Sequence, residues 1–372
     1  MLNCFINKEL NLLDWDFKFN ESSSLSSIHP YPAKFIPEIP GNLIDLIGLP
    51  KNTCVCDPFC GSGTTLVEAQ KRGYRSIGVD LNPIGCLISR VKTNPIGDNF
   101  IRNLDFIVNY KRTKEQTHPI PNVNHWFKPE IQIEIERLRN AINLLENKYD
   151  KDFFNLVLSS IIVSVSNQES DTRYAAIEKH VTTEIVTDKY INSSNKIHHS
   201  LINRNYLLEQ TTVINKNLFD VVSHEFKMPV GLVVTSPPYP NAYEYWLYHK
   251  YRMYWLGYDP LFVKQNEIGA RAHFFKKNHH TKQNFVEQMK KTFSLLDKIV
   301  VENGHICFVV GRSIIHGEEI DNAEIIIDTA KLFNLHPTFI KERAINSNRK
   351  SFNLSYANIK KETILVFGHK KK

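Results

Sequence analysis

The 372 residues carry two hydrophobic rhythms. Short apolar runs bounded by Gly, Asn, Asp and Pro occur on both sides of a long middle stretch. TCVCD at 53–57 and RSIGVDLN at 75–82 read as buried strands. TTLVEAQKRG at 64–73, closed by Gly73, reads as a helix between them. Strand, glycine loop, helix and strand in that order make one βαβ unit. Beyond residue 211 the strand pattern returns in TTVINKNLF, GLVVTSPPY, GHICFVVG, LHPTFIKERAI and ETILVFG. From about residue 95 to 210 glycine nearly vanishes and apolar positions recur at three- and four-residue steps. IQIEIERLRNAINLLENKY at 131–149 predicts an amphipathic helix, and FFNLVLSSIIVSVS at 153–166 a buried one. The stretch 244–300 is also helical, and rich in Tyr, Trp, His, Lys and Arg. Residues 1–28 read as an irregular arm. The four prolines of HPYPAKFIPEIP at 29–40 forbid a continuous helix, and GNLIDLIGL after them predicts a short one.

This pattern predicts an α/β domain built from 1–95 and 211–372. A helical insertion at 96–210 interrupts it and is a candidate target-recognition region, to which 244–300 can contribute. A formal charge of +7 is compatible with a polyanionic partner without requiring one. No apolar run is long enough to span a bilayer, and the first twenty residues do not read as a signal peptide, so a cytoplasmic protein without a membrane partner is expected. The six cysteines have no CxxC spacing. Cys54 and Cys56 alternate along a strand and read as small buried residues rather than metal ligands.

Two motifs carry chemistry. In DPFCGSGTT at 57–65, Gly61 and Gly63 lie between a strand and a helix, where glycine lets backbone approach a ligand closely. A dinucleotide fingerprint wants another glycine where Leu66 stands, so a ligand without a pyrophosphate fits better. Asp80 ends the next strand and can accept both hydroxyls of a ribose, although a strand-end Asp is also a common turn residue. The more specific motif is TSPPYPNAYEY at 235–245, directly after the apolar GLVV. Two prolines fix the backbone so that the Pro237 carbonyl projects rigidly, Ser236 offers a hydroxyl acceptor and Tyr239 an aromatic face. Two acceptors that hold both hydrogens of an exocyclic amino group localise its lone pair, and a stacked ring holds the base plane. On this reading the aromatic face is the needed feature, and Phe or Trp at 239 is expected to cost little. The alternative is a proline-rich turn with Tyr239 packed on it.

The chain resembles the amino-methyltransferases of bacterial restriction–modification systems, which carry an FxGxG loop and a [DNS]PP[YFW] motif. Here these are Phe59-Cys60-Gly61-Ser62-Gly63 and Ser236-Pro237-Pro238-Tyr239, and HPYPAKFIP at 29–37 looks like a third family segment. The resemblance implies a Rossmann-like S-adenosylmethionine-dependent methyltransferase sheet, with S-adenosyl-L-methionine as methyl donor and no metal. It places Tyr31, Lys34 and Phe35 near the methionyl group, Asp57, Gly61 and Gly63 along the methionine and ribose, Asp80 on the ribose hydroxyls and Leu81 beside the adenine, with Phe59 a further cofactor-binding residue of the loop. Ser236, Pro237, Pro238 and Tyr239 would form the catalytic motif. Serine at its first position is typical of cytosine-N4 enzymes. Two positions depart from the family: Asn217 stands near the expected acidic adenine contact, and Gly231 where Asp is frequent before the catalytic strand.

The implied substrate is double-stranded DNA, with the target base flipped into the pocket and a restriction endonuclease as functional counterpart. Arg173, Arg271, Lys276 and Lys277, in runs that mix basic and aromatic residues, are candidate DNA contacts, with a solvated surface as the alternative for each run. SNQESDTRY at 166–174 either caps a helix or faces DNA. Two other functions compete: the same chemistry on adenine N6 or on RNA, and an inactive methyltransferase-like nucleic-acid-binding subunit.

Overall fold

The computed structural model describes residues 8–17, 24–32, 35–111, 119–171, 173–241, 243–275, 279–345 and 361–369. Its centre is a seven-stranded sheet formed by β1 (Cys54–Asp57), β2 (Ser76–Asp80), β3 (Thr211–Asn215), β4 (Val230–Thr235), β5 (Val300–Gly311), β8 (Pro337–Ala344) and β9 (Lys361–Gly368). The spatial order is β3-β2-β1-β4-β5-β9-β8. Strands β1 to β5 pair in parallel, and β9 runs against both of its neighbours. β1 and β4 are buried along their whole length, which explains their unbroken apolar runs. The small hairpin β6 (Ser313–Ile315) and β7 (Glu318–Ile320) stands apart from the sheet and was not foreseen.

The chain winds outward from β1 through β2 to β3, then returns to the other side of β1 as β4. At such a reversal the loops leaving the two central strands diverge and open a crevice at their carboxyl ends. The glycine loop leaves β1 there and the SPPY segment leaves β4.

Helix α1 (Glu38–Ile47) starts inside the proline-rich segment, earlier than expected. Pro40 lies in its first turn, where a missing N–H costs nothing. α2 (Thr64–Lys71) and α3 (Pro83–Thr93) follow β1 and β2. The middle stretch holds α4 (Phe100–Asn109), α5 (Pro129–Asn143), α6 (Lys148–Ile161) and α7 (Thr183–Ile202). The long helix expected over 131–149 is broken, because the Asn147 side chain accepts the N–H groups of Tyr149 and Asp150 and starts a new one. These helices do not pack alone. One apolar cluster joins Ile84, Leu87 and Ile88 of α3 to Ile135, Leu138, Phe154, Leu158 and Tyr190, and to Trp246, Tyr251 and Trp255. Stretch 244–300 is a series of short helices ending in α8 (Lys282–Ile299), and α9 (Asn322–Lys331) packs against α8. The N-terminal arm is also part of the core: Leu10 and Trp15 are buried against β4, β5 and β9. No helix among the described residues is long and apolar enough to cross a membrane.

Candidate active site

A cavity of about 480 Å3 lies at the carboxyl ends of β1, β2 and β4. Of the residues expected to hold the cofactor, Tyr31, Phe35, Asp57, Phe59, Gly61, Asp80 and Leu81 line it, and so do all four residues of the SPPY motif. Gly63 does not line it: with φ 79° it is the N-cap of α2, and a Cβ there would meet Ser89. Its glycine serves the turn into the helix. Lys34 lies outside the described residues.

Gly61 has φ 47°, and an added Cβ would come within 2.9 Å of the Tyr31 hydroxyl. The loop therefore presents bare backbone to the cavity beneath an aromatic ring. Gly61 N–H donates to Asp80 Oδ2 at 2.8 Å, and Asn82 N–H donates to Oδ1 at 2.7 Å. The carboxylate is thus aimed by the loop it supports, with further lone pairs left for a ligand. Burial pushes Asp80 up to about 6, against the pull of those two N–H groups. Asp57 is likewise pushed up to about 6 by burial, while the Thr235 hydroxyl donates to its Oδ1 at 2.6 Å and the Phe59 N–H at 3.0 Å. This Thr235 bond ties the end of β4 to the end of β1, so the two motif loops share one anchor.

Across the cavity, Ser236 Oγ lies 3.1 Å from the Tyr239 hydroxyl. That hydroxyl is also 3.3 Å from the Val309 carbonyl and 3.4 Å from Glu362 Oε1. Burial holds the Tyr239 phenol well above its ordinary value, so it stays protonated. Glu362 in turn accepts from buried Arg343 at 2.5 Å, and Arg343 Nε donates to the Trp15 carbonyl at 2.8 Å.

Several lining residues escaped the sequence reading: Tyr243, Tyr245, Asn266, Glu267, Arg343 and Glu362. Tyr243 and Tyr245 follow SPPY within a few residues, but the motif gives them no role, whereas no spacing rule points to Asn266, Glu267, Arg343 or Glu362, which β8, β9 and the short helices bring to the site only through the fold. Glu267 is the most informative. Its two oxygens accept the N–H groups of Tyr245 (2.7 Å) and Trp246 (2.9 Å), and burial pushes it up to about 8. Tyr245 lies over Tyr31 with ring centres 5.7 Å apart. Asn217, in the place of an expected acidic contact, lines the cavity, but its Oδ1 accepts the Phe219 N–H.

Of the candidate DNA contacts, Arg173 is exposed and pairs with Glu169, and Arg271 is exposed at the start of a five-residue helix. Lys276 and Lys277 lie outside the described residues. Two basic and aromatic runs remote in sequence come together. Tyr174 stacks on Tyr251 with centres 6.1 Å apart, and the Lys250 ammonium lies over both rings. In the polar run 166–174, Asp171 pairs with buried Arg252 and Gln168 bridges to Ala176, so much of it is held by protein partners.

A parallel sheet with one reversed strand near its edge and a ligand cavity at the reversal of strand order defines a Rossmann-like methyltransferase fold. Comparison with known proteins agrees. Residues 8–90 match the model of the N6/N4 methyltransferase family, described as DNA methylase. The chain is 29% identical to the type II methyltransferase M.MvaI of Kocuria varians over 241 residues, covering 58% of this chain and 53% of that one. It is 26% identical to type II methyltransferase M.BsoBI of Geobacillus stearothermophilus over 288 residues, covering 67% and 56%. It therefore spans about half the length of these curated relatives. Among solved structures, an rRNA methyltransferase, aviRa, from Streptomyces viridochromogenes aligns over 94% of both chains at 11% identity and a TM-score of 0.36. The resemblance carried by the motifs is thus to DNA amino-methyltransferases of the restriction–modification type.

Proposed function

We propose that this protein methylates an exocyclic amino group in duplex DNA, at N4 of cytosine, with S-adenosylmethionine as donor. The observation that carries this reading is the single cavity into which Gly61 and Asp80 from one side and Ser236, Pro237 and Tyr239 from the other all open. The lining fits such a donor. The backbone at Gly61 is bare, Asp80 keeps acceptor capacity for ribose hydroxyls, and Phe59 and Leu81 give apolar walls. The volume lies within the roughly 300–1,000 Å3 usual for ligand pockets. When bound, S-adenosylmethionine supplies an activated methyl group. The protein's own part is then to orient the amino nitrogen, polarise it through two acceptors and exclude water.

Serine as the first residue of the motif supports cytosine over adenine. Base flipping belongs to the same reading: the motif lines a cavity at the carboxyl ends of the central strands, which a base stacked in a duplex cannot enter. The joined Tyr174, Tyr251 and Lys250 group, beside exposed Arg173, supports a nucleic-acid face next to the cavity-lining segment 243–245. Protection of DNA against a restriction enzyme and a cytoplasmic location belong to the same reading. The test is incubation with labelled S-adenosylmethionine and DNA, digestion to nucleosides and identification by mass spectrometry. N4-methylcytosine is expected. N6-methyladenine would correct the target base, and absence of any labelled nucleoside from DNA would overturn the reading.

A further inference from the structure

A serine hydroxyl that must accept a hydrogen bond from an amino group has to send its own proton elsewhere. Otherwise its O–H points at the base and competes with the contact it is meant to make. Among the described residues Ser236 Oγ has one hydrogen-bond partner, the Tyr239 hydroxyl at 3.1 Å. Taken alone, that pair could run in either direction. The next contacts favour one direction. Tyr239 lies 3.3 Å from the Val309 carbonyl, which can only accept, and 3.4 Å from Glu362 Oε1. Glu362 accepts from the Arg343 guanidinium through its other oxygen, so the carboxyl faces both partners as an acceptor. The tyrosine proton therefore has acceptors on the side away from Ser236, and the tyrosine oxygen is left to receive the serine proton.

We infer that the Tyr239 hydroxyl is a positioning group for Ser236: it takes the serine hydrogen bond and passes its own to Val309 and Glu362, so that the serine oxygen meets the base amino group as an acceptor. This rests on the amino-methyl transfer proposed above and changes one expectation from the sequence. The ring face of Tyr239 is not its whole contribution, and Phe at this position is no longer a neutral replacement. The chain of contacts also explains why a strand at the far side of the sheet reaches the site. β9 brings Glu362 beside β5 at Gly311, two residues from Val309.

The test is a cycle of four proteins: wild type, Tyr239→Phe, Ser236→Ala and the double variant. Each is assayed in single-turnover methyl transfer with labelled S-adenosylmethionine and DNA, and cofactor affinity is measured by calorimetry. Loss of one hydrogen bond that orders an acceptor should slow transfer by Tyr239→Phe roughly three- to ten-fold, with cofactor affinity unchanged. In the Ser236→Ala background the same change should have no further effect, because the hydroxyl acts only through the serine. A Tyr239→Phe protein as fast as wild type overturns the inference. So does an equal loss in both backgrounds, which would assign the hydroxyl a role independent of Ser236. If Tyr239→Phe lost cofactor binding as well, Glu362→Gln replaces it in the cycle. Glu362→Gln must then slow transfer with Ser236 in place and have no further effect in the Ser236→Ala background; wild-type speed with Ser236 in place would count against the inference. A wild type that transfers no methyl group fails differently: it removes the functional reading, and the inference with it.

Discussion

Asp80 serves two masters. Its oxygens receive the N–H groups of Gly61 and Asn82, and it lines the cavity to which the proposed function assigns a ribose. Burial has already raised it to about 6. Ligand hydroxyls that donate to it favour the ionised form. Cofactor affinity should therefore fall as pH drops through about 6 and level off above about 7. Calorimetry across that range checks this, and Asp80→Asn should bind more weakly with a flatter profile. Affinity independent of pH in the wild type would argue against a ribose contact at Asp80. Glu267 offers a separate reading on stability. Its folded value, about 8, lies above the ordinary 4.5. Its contribution is thus fully present below about 4.5 and is lost as pH rises through about 8. Urea unfolding at several pH values should show wild type losing stability over that window more than Glu267→Gln does. Equal slopes would mean that Glu267 is not buried as described.

At the scale of elements, the SPPY turn is held from outside itself. Asn241 N–H donates to the Gly269 carbonyl at 2.9 Å, and Gly269, with φ 71°, packs so closely that a Cβ would stand 2.4 Å from the Tyr239 carbonyl. Gly269→Ala should therefore displace the SPPY turn. Slower methyl transfer with nearly unchanged cofactor affinity is the expected result, since Gly61, in the loop after β1, and Asp80, at the end of β2, are held by other elements. The short helix Lys250–Trp255 is pinned in a similar way. Arg252, 1% exposed, donates to the carbonyls of Ser159 and Tyr248 and pairs with Asp171. It joins the middle helices to the segment that follows the SPPY turn. Arg252→Ala should cost about 2–4 kcal/mol, because a large buried side chain and its bonds to two carbonyls are lost while the partly exposed Asp171 can be solvated. Thermal or urea unfolding measures this, and a loss below about 1 kcal/mol would show that the contact is not structural.

For the molecule as a whole, the formal charge of +7 matters less than where cations gather. Tyr174, Tyr251 and Lys250 form one cation–aromatic group from segments some 75 residues apart, with Arg173 exposed beside it. If this group meets DNA, Arg173→Glu with Lys250→Glu should weaken binding and lower the slope of log K against log salt by about 2, one for each lost phosphate contact. Fluorescence anisotropy at several salt concentrations reads both quantities. An unaltered slope would move the DNA face elsewhere.

Much of this protein is legible along the chain. The βαβ opening, the glycine loop, the apolar strand before SPPY and the return of strands after 211 follow from local periodicity, from glycine's tolerance of positive φ and from proline's rigidity. Those are properties of a few adjacent residues, so a sequence displays them. The break at Asn143 was hidden because apolar spacing runs on past it, and the cap at Asn147 was the signal to read. The far wall of the cavity was not legible at all. Glu362 reaches Tyr239 across 123 positions, Thr235 reaches Asp57 across 178, and Arg343 reaches Trp15 across 328. Such contacts are set by strand order and by the packing of β9 beside β5, not by spacing in the chain. The sequence by itself determined which chemical groups are present and which local turns present them. The tertiary structure alone decided which of them face one another, because burial and hydrogen-bond direction exist only once distant strands have been brought side by side.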